Sequence, residues 1–154
     1  MSDELDAIVA LSRALGDPAA ELAILGEGNT SLRTGAATML VKASGASLAT
    51  VTAADFVELE TAPLLALLDD PAADDAAVAD AFAAVEARTG RRPSVEAMLH
   101  AVCLERGGAD VVGHTHPVPV LALLCSPHAQ ALATHLLFPD QIVVLGRSGR
   151  RHAE

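Results

Sequence analysis

The segment Val111-Val112-Gly113-His114-Thr115-His116-Pro117 constrains this chain more than any other. A short apolar run that stops at a proline reads as a strand, because proline has no amide hydrogen with which to continue a ladder. Successive strand side chains point to opposite faces, so His114 and His116 fall on one face about 7 Å apart and Thr115 on the other. Two neutral imidazoles at that spacing can converge on one ion, zinc or a first-row neighbour. The same pair fits a polar sheet edge or a partly solvated surface pair, and the motif alone leaves both readings open. Pro117 can then open a helix at its first position.

The other residues must build a core around that strand. At 154 residues the chain fits one domain, able to bury about two-thirds of its unfolded surface without disulfides. Hydrophobic residues make up 51% and aromatics only 2%, with neither Trp nor Tyr, so the core is expected to be aliphatic. Platforms for stacking bases are missing, and a formal charge of -10 is wrong for a phosphate-backbone binder. Nucleic acid is therefore excluded as a partner. The start Met1-Ser2-Asp3-Glu4 is acidic where a secretory leader is basic, and no apolar stretch reaches membrane-spanning length, so a soluble, cytoplasmic protein is expected. Cys103 and Cys125 sit in helical apolar patterns without CxxC spacing, which predicts reduced, buried thiols.

Periodicity gives a coarse element order. Ser2 or Asp3 can cap a first helix carrying Leu5, Ile8, Leu11, Ser12 and Leu15, ending near Gly16-Asp17-Pro18. A second helical piece is expected over Ala19 to Leu25. Short strands follow around Ser31 to Arg33 and Met39 to Lys42, joined at Thr34-Gly35, and Phe56 to Glu60 alternates as a third, with Thr52 as a cap before it. Residues 63 to 89 suit one or two helices broken at Asp70-Pro71. Val95 to Glu105 reads as a helix with Met98, Leu99, Val102 and Cys103 on one face, ended by Gly107-Gly108. Beyond the histidines, Val118 to Cys125 and Pro127 to Leu137 read as helices and Gln141 to Leu145 as a strand. One domain over residues 1 to 146 is expected, with 147 to 154 as an unstructured tail.

Three loops carry polar groups suited to a site. Gly26-Glu27-Gly28-Asn29-Thr30-Ser31 lacks the third glycine of a dinucleotide fingerprint and leads into a strand, so it reads either as a plain turn or as an anion nest in which the Asn29 amide and Ser31 hydroxyl take part. Ser44-Gly45 offers a second donor cluster. Ser94 reads as an N-cap, and Glu96 as a first-turn acid favoured there by the helix dipole. A capping box would need the acid at position 97, which is Ala97, so Glu96 is free for other work. His100 shares its face, and the helix leads through one glycine-rich turn to the histidine strand. A carboxylate beside a divalent ion is what proton abstraction next to a carbonyl requires.

Gly28-Asn29-Thr30-Ser31, Ser44-Gly45, Pro93-Ser94-Val95-Glu96, His100 and His114-Thr115-His116-Pro117 occur in the order found in one family. Over nearly its whole length the chain resembles the class II aldolase/adducin family of sugar-phosphate aldolases and epimerases. The resemblance implies an α/β fold of three α/β/α layers around a mostly antiparallel sheet. It implies zinc or a similar divalent ion held by His114 and His116, and Glu96 as the acid/base. Gly28, Asn29, Ser44, Gly45 and Ser94 would bind the phosphate of a small sugar phosphate. It also implies a homo-oligomer, a tetramer in the family, and a lyase working through a metal-stabilised enediolate. Two further readings stay open within the family, a non-catalytic, adducin-like assembly domain and a sugar-phosphate epimerase or dehydratase.

The chain departs from the family pattern at two places. Many family aldolases carry two hydroxyl residues before the glutamate, where this chain has Ser94 and Val95. The family's third metal-binding histidine lies in a carboxy-terminal region beyond Glu154. An ion held by two imidazoles is the resulting expectation, its remaining positions filled by water.

Overall fold

The computed structural model describes residues 2–134. Four strands form one sheet: β1 (Asn29–Arg33), β2 (Thr38–Lys42), β3 (Phe56–Glu60) and β4 (Val111–His114). They lie in the order β3-β2-β1-β4 with every neighbour antiparallel. The hairpin from β1 to β2 aligns Ser31 with Val41 and Arg33 with Met39, and Thr34 N–H donates to the Thr38 carbonyl to close it. On the far side of β1, Asn29 pairs with His114 and Ser31 with Val112.

Strand alternation sorts the side chains into two layers. Met39, Val41, Val57 and Leu59 turn to one face and pack with residues of α2 (Thr61–Asp69), α3 (Asp75–Thr89) and α4 (Ala97–Glu105), among them Leu64, Phe82, Ala101 and Leu104. Leu32, Leu40 and Phe56 turn to the other, where Leu5, Ile8 and Leu11 of α1 (Ser2–Leu15) meet them. Helix, sheet and helices therefore make three layers around a mostly aliphatic core. The hydroxyl of Ser12 on α1 lies 2.6 Å from that of Thr30, so the apolar contact between α1 and the sheet ends in a buried polar one. Arg33 closes the opposite side, pairing with Glu105 at 3.1 Å and donating to the carbonyl of Leu104 in the last turn of α4 and to that of Ala109 beyond it.

The break at Asp70-Pro71 falls where expected, between α2 and α3. Three readings change. Ala19 to Leu25 is not a helix. Asp17 caps a single 3-10 turn, Pro18–Ala20, by accepting from Ala19 N–H at 2.9 Å, and Glu21 ends it with a left-handed φ of 51°. Helix α4 starts at Ala97, two residues later than expected, and buries Ala97, His100, Ala101 and Leu104 completely while Leu99 stays 52% exposed. Of the expected stripe, Met98 does join the core, while Val102 and Cys103 are half-buried, so the inward face is turned toward Ala97, Ala101 and Leu104. Cys103 is half-buried and Cys125 exposed, so neither is the buried thiol expected.

The chain divides after Pro117 into two units, Met1–Pro117 and Val118–Glu154. Within the second, α5 (Val118–Leu124) packs on α6 (Ala129–Thr134). The expected strand Gln141 to Leu145, the end of the helix toward Leu137 and the tail from residue 147 lie outside the described residues. No helix among the described residues is long and apolar enough to cross a membrane.

Candidate metal centre

Strand β4 delivers His114 at its last residue, and His116 follows just past the end, where its N–H donates to the Leu22 carbonyl at 2.9 Å. Their ring centroids lie 4.8 Å apart. Glu96 comes from the other element. A bridge between Ala43 and Pro93 and a 2.8 Å bond from Ser44 N–H to the Arg92 carbonyl pin the approach to α4 beside β2. Ser94 then turns the chain: its hydroxyl accepts from Glu96 N–H at 3.3 Å and its carbonyl from Ala97 N–H at 2.9 Å. Glu96 becomes the N-cap residue of α4, where the dipole favours a carboxylate.

The Glu96 carboxylate lies 3.5 Å from His114 Nδ1 and 3.6 Å from His116 Nε2. Both ring nitrogens are buried, and neither has a hydrogen-bond partner among the described residues. One donor atom from each of Glu96, His114 and His116 falls within 4.8 Å of the others. Two imidazole nitrogens suit zinc and its neighbours, and the carboxylate oxygen beside them lies within reach of the same ion. Buried polar atoms are nearly always satisfied, so unpaired nitrogens converging on a carboxylate fit a cation.

His100 stands behind this group. It is fully buried, its Nδ1 is 2.7 Å from the Ser31 hydroxyl, and its ring is 6.0 Å from that of His114. Burial first, and the charge of His114 second, push its pKa down to about 4 against the pull of Glu96, so it is neutral near pH 7. Among the described residues it is not one of the converging donors. The Ser31 hydroxyl thus faces α4 and not an anion nest.

Next to Glu96 a cavity of about 350 Å³ is lined by Glu27, Gly28, Lys42, Ser44, Gly45 and Ser94, among others. Gly28 and Gly45 adopt left-handed φ values of 86° and 80°. The backbone N–H of Ser44 is already spent on Arg92, leaving its hydroxyl for the cavity. Asn29 is fully buried and does not line it; its Oδ1 accepts from Thr30 N–H at 2.9 Å, and its buried Nδ2 has no hydrogen-bond partner among the described residues. Two lining groups escaped the sequence reading. Lys42, at the end of β2, is only 2% exposed and donates to the Ala46 carbonyl at 2.6 Å. Glu27 reaches His116 Nδ1 at 3.8 Å from the opposite side of the ring to Glu96. Across the cavity, two carboxylates therefore face one ammonium.

Residues 6–148 match the model of the family described as class II aldolase and adducin N-terminal domain. The chain belongs to the class II aldolase/adducin family. Its fold agrees. The N-terminal class II aldolase domain of a conserved protein from Thermoplasma acidophilum is 26% identical with a TM-score of 0.66, over 85% of this chain and 63% of that one. L-fuculose-1-phosphate aldolase from Thermus thermophilus has the same fold at 23% identity and a TM-score of 0.54, over 88% of this chain and 53% of that one. The class II aldolase/adducin chain thus spans less than two-thirds of the length of either protein. No sequence among curated proteins matches it.

Proposed function

We propose that this class II aldolase/adducin domain is a metal-dependent lyase of aldolase type acting on a small sugar or sugar phosphate. The observation that carries the reading is the convergence of two buried, unpaired imidazole nitrogens on the Glu96 carboxylate. A divalent ion, zinc by donor chemistry, would supply a Lewis acid for a substrate carbonyl. His114 and His116 hold it. Glu96, at the start of α4, takes or returns the proton on the carbon beside that carbonyl. Lys42, the hydroxyls of Ser44 and Ser94 and the backbone at Gly28 and Gly45 give the cavity its affinity for an anionic end of the substrate. Asn29, set behind the turn, shapes that loop through its bond to Thr30 and offers its buried Nδ2. The family match runs without a break from residue 6 to 148, which supports reading residues 1–146 as one domain.

Zinc binding and proton exchange test the reading together. Wild-type protein should bind zinc, His114→Ala and His116→Ala should each lose it, and Glu96→Gln should keep most of the affinity. Proton exchange at the carbon beside a sugar-phosphate carbonyl should fall by about 100-fold or more in Glu96→Gln. Zinc affinity unchanged in both histidine variants would remove the metal centre. Exchange unchanged in Glu96→Gln would leave Glu96 as a helix-start acid only.

A further inference from the structure

The two ring nitrogens of His116 face different carboxylates. Nε2 looks toward Glu96 at 3.6 Å, and Nδ1 toward Glu27 at 3.8 Å. The nitrogens of an imidazole diverge across the ring, so a carboxylate at Nδ1 is badly placed to share an ion with one at Nε2. Turning the ring over would put carbon atoms against both carboxylates, so the pair of contacts also fixes which way the ring faces. We infer that Glu27 is a positioning residue for the metal centre: it draws the His116 proton onto Nδ1 and leaves Nε2 free as a ligand. A carboxylate on the far nitrogen of a metal-binding histidine fixes the tautomer and makes the imidazole a stronger donor. The inference rests on the metal-centre reading above.

The backbone is built to hold this pairing. Glu27 N–H donates to the Ile24 carbonyl at 2.9 Å, closing a tight turn, and His116 N–H donates to the Leu22 carbonyl at 2.9 Å from the same loop. One residue past Glu27, a Cβ on Gly28 would come within 3.1 Å of the His114 carbonyl oxygen. Loop and strand end are thus tied at both histidines. Glu27 is 59% exposed on its side chain, so replacing it leaves no buried hole.

The test measures zinc affinity by chelator competition for wild type, Glu27→Ala, Glu27→Gln and His114→Ala. It is joined to nitrogen-15 spectra of the histidine rings in the zinc-loaded proteins. Expected are a loss of about 10- to 100-fold in zinc affinity for Glu27→Ala, a smaller loss for Glu27→Gln, whose amide oxygen still accepts the proton, and a shift of the His116 Nδ1–H resonance in both. Affinity and resonance unchanged in Glu27→Ala, with zinc still lost in His114→Ala, would overturn the role of Glu27 and leave the metal centre standing. A loss in Glu27→Ala as complete as in His114→Ala would overturn it too, since Glu27 would then be a ligand itself. Failure of the wild type to bind zinc would remove the metal-centre reading and this inference with it.

Discussion

Lys42 shows what a single buried charge does to this domain. Desolvation lowers its pKa from 10.5, with Glu96, Glu27 and Asp55 pulling the other way. The folded protein therefore holds this proton less readily than the unfolded chain does. The contribution of Lys42 to stability is fully present above the unfolded value and is lost as pH falls through the lowered folded one. Compared with Lys42→Met, the wild type should gain in unfolding free energy as pH rises from neutrality toward 10.5, which urea unfolding at several pH values can follow. Parallel pH curves for the two proteins would show that the ammonium is not desolvated. The histidines were legible at this scale because a two-residue period is local. Lys42 was not: a lysine closing an alternating strand usually faces water, and only the fold brings the Ala46 carbonyl and the cavity to it.

At the scale of elements, the segment from Leu22 to Gly28 decides how the site is assembled. Ala19 to Leu25 is rich in good helix formers, yet Glu21 leaves helical geometry and the Leu22 carbonyl is taken by His116, so tertiary contacts override propensity. That demand comes from a residue far along the chain, which no local window contains. The strands, by contrast, could be read directly, since Met39, Val41, Val57 and Leu59 alternate as a half-buried sheet must. Helix α4 starts later than its sequence pattern implies because the Ser94 hydroxyl accepts from Glu96 N–H two residues on, a turn that precedes the helix instead of capping its first turn. Gly28→Ala tests the loop. A methyl there meets Leu48 Cδ1 at 2.8 Å and the His114 carbonyl at 3.1 Å, at a φ of 86° that alanine resists. Denaturant unfolding should show a loss of about 2 kcal/mol or more, with weaker zinc binding as β4 shifts. A cost under about 0.5 kcal/mol would mean that loop and strand are not held together there.

For the whole molecule, the three layers and the order of the sheet strands place the site where β4, the Gly28 loop and the start of α4 meet. An ion bound there joins elements far apart in sequence and has no such site in the unfolded chain, so it should stabilise the native state by mass action. With zinc at about 100 times its dissociation constant, the stabilisation is about 2.7 kcal/mol, or about 5–10 °C in Tm. Calorimetry should find that rise in wild type and its absence in His114→Ala; equal Tm values with and without zinc would mean that no native-specific ion site exists. The family-level fold was legible because motifs from five separate segments occur in a fixed order, while the facing carboxylates of Glu27 and Glu96 emerge only when those segments are folded together. Those two carboxylates and Lys42 leave the cavity with a surplus negative charge, in a chain whose formal charge is already -10. If the cavity takes an anionic sugar as proposed, that sugar should bind measurably only once a divalent cation has offset this charge, so the expected order of arrival is cation first and sugar second.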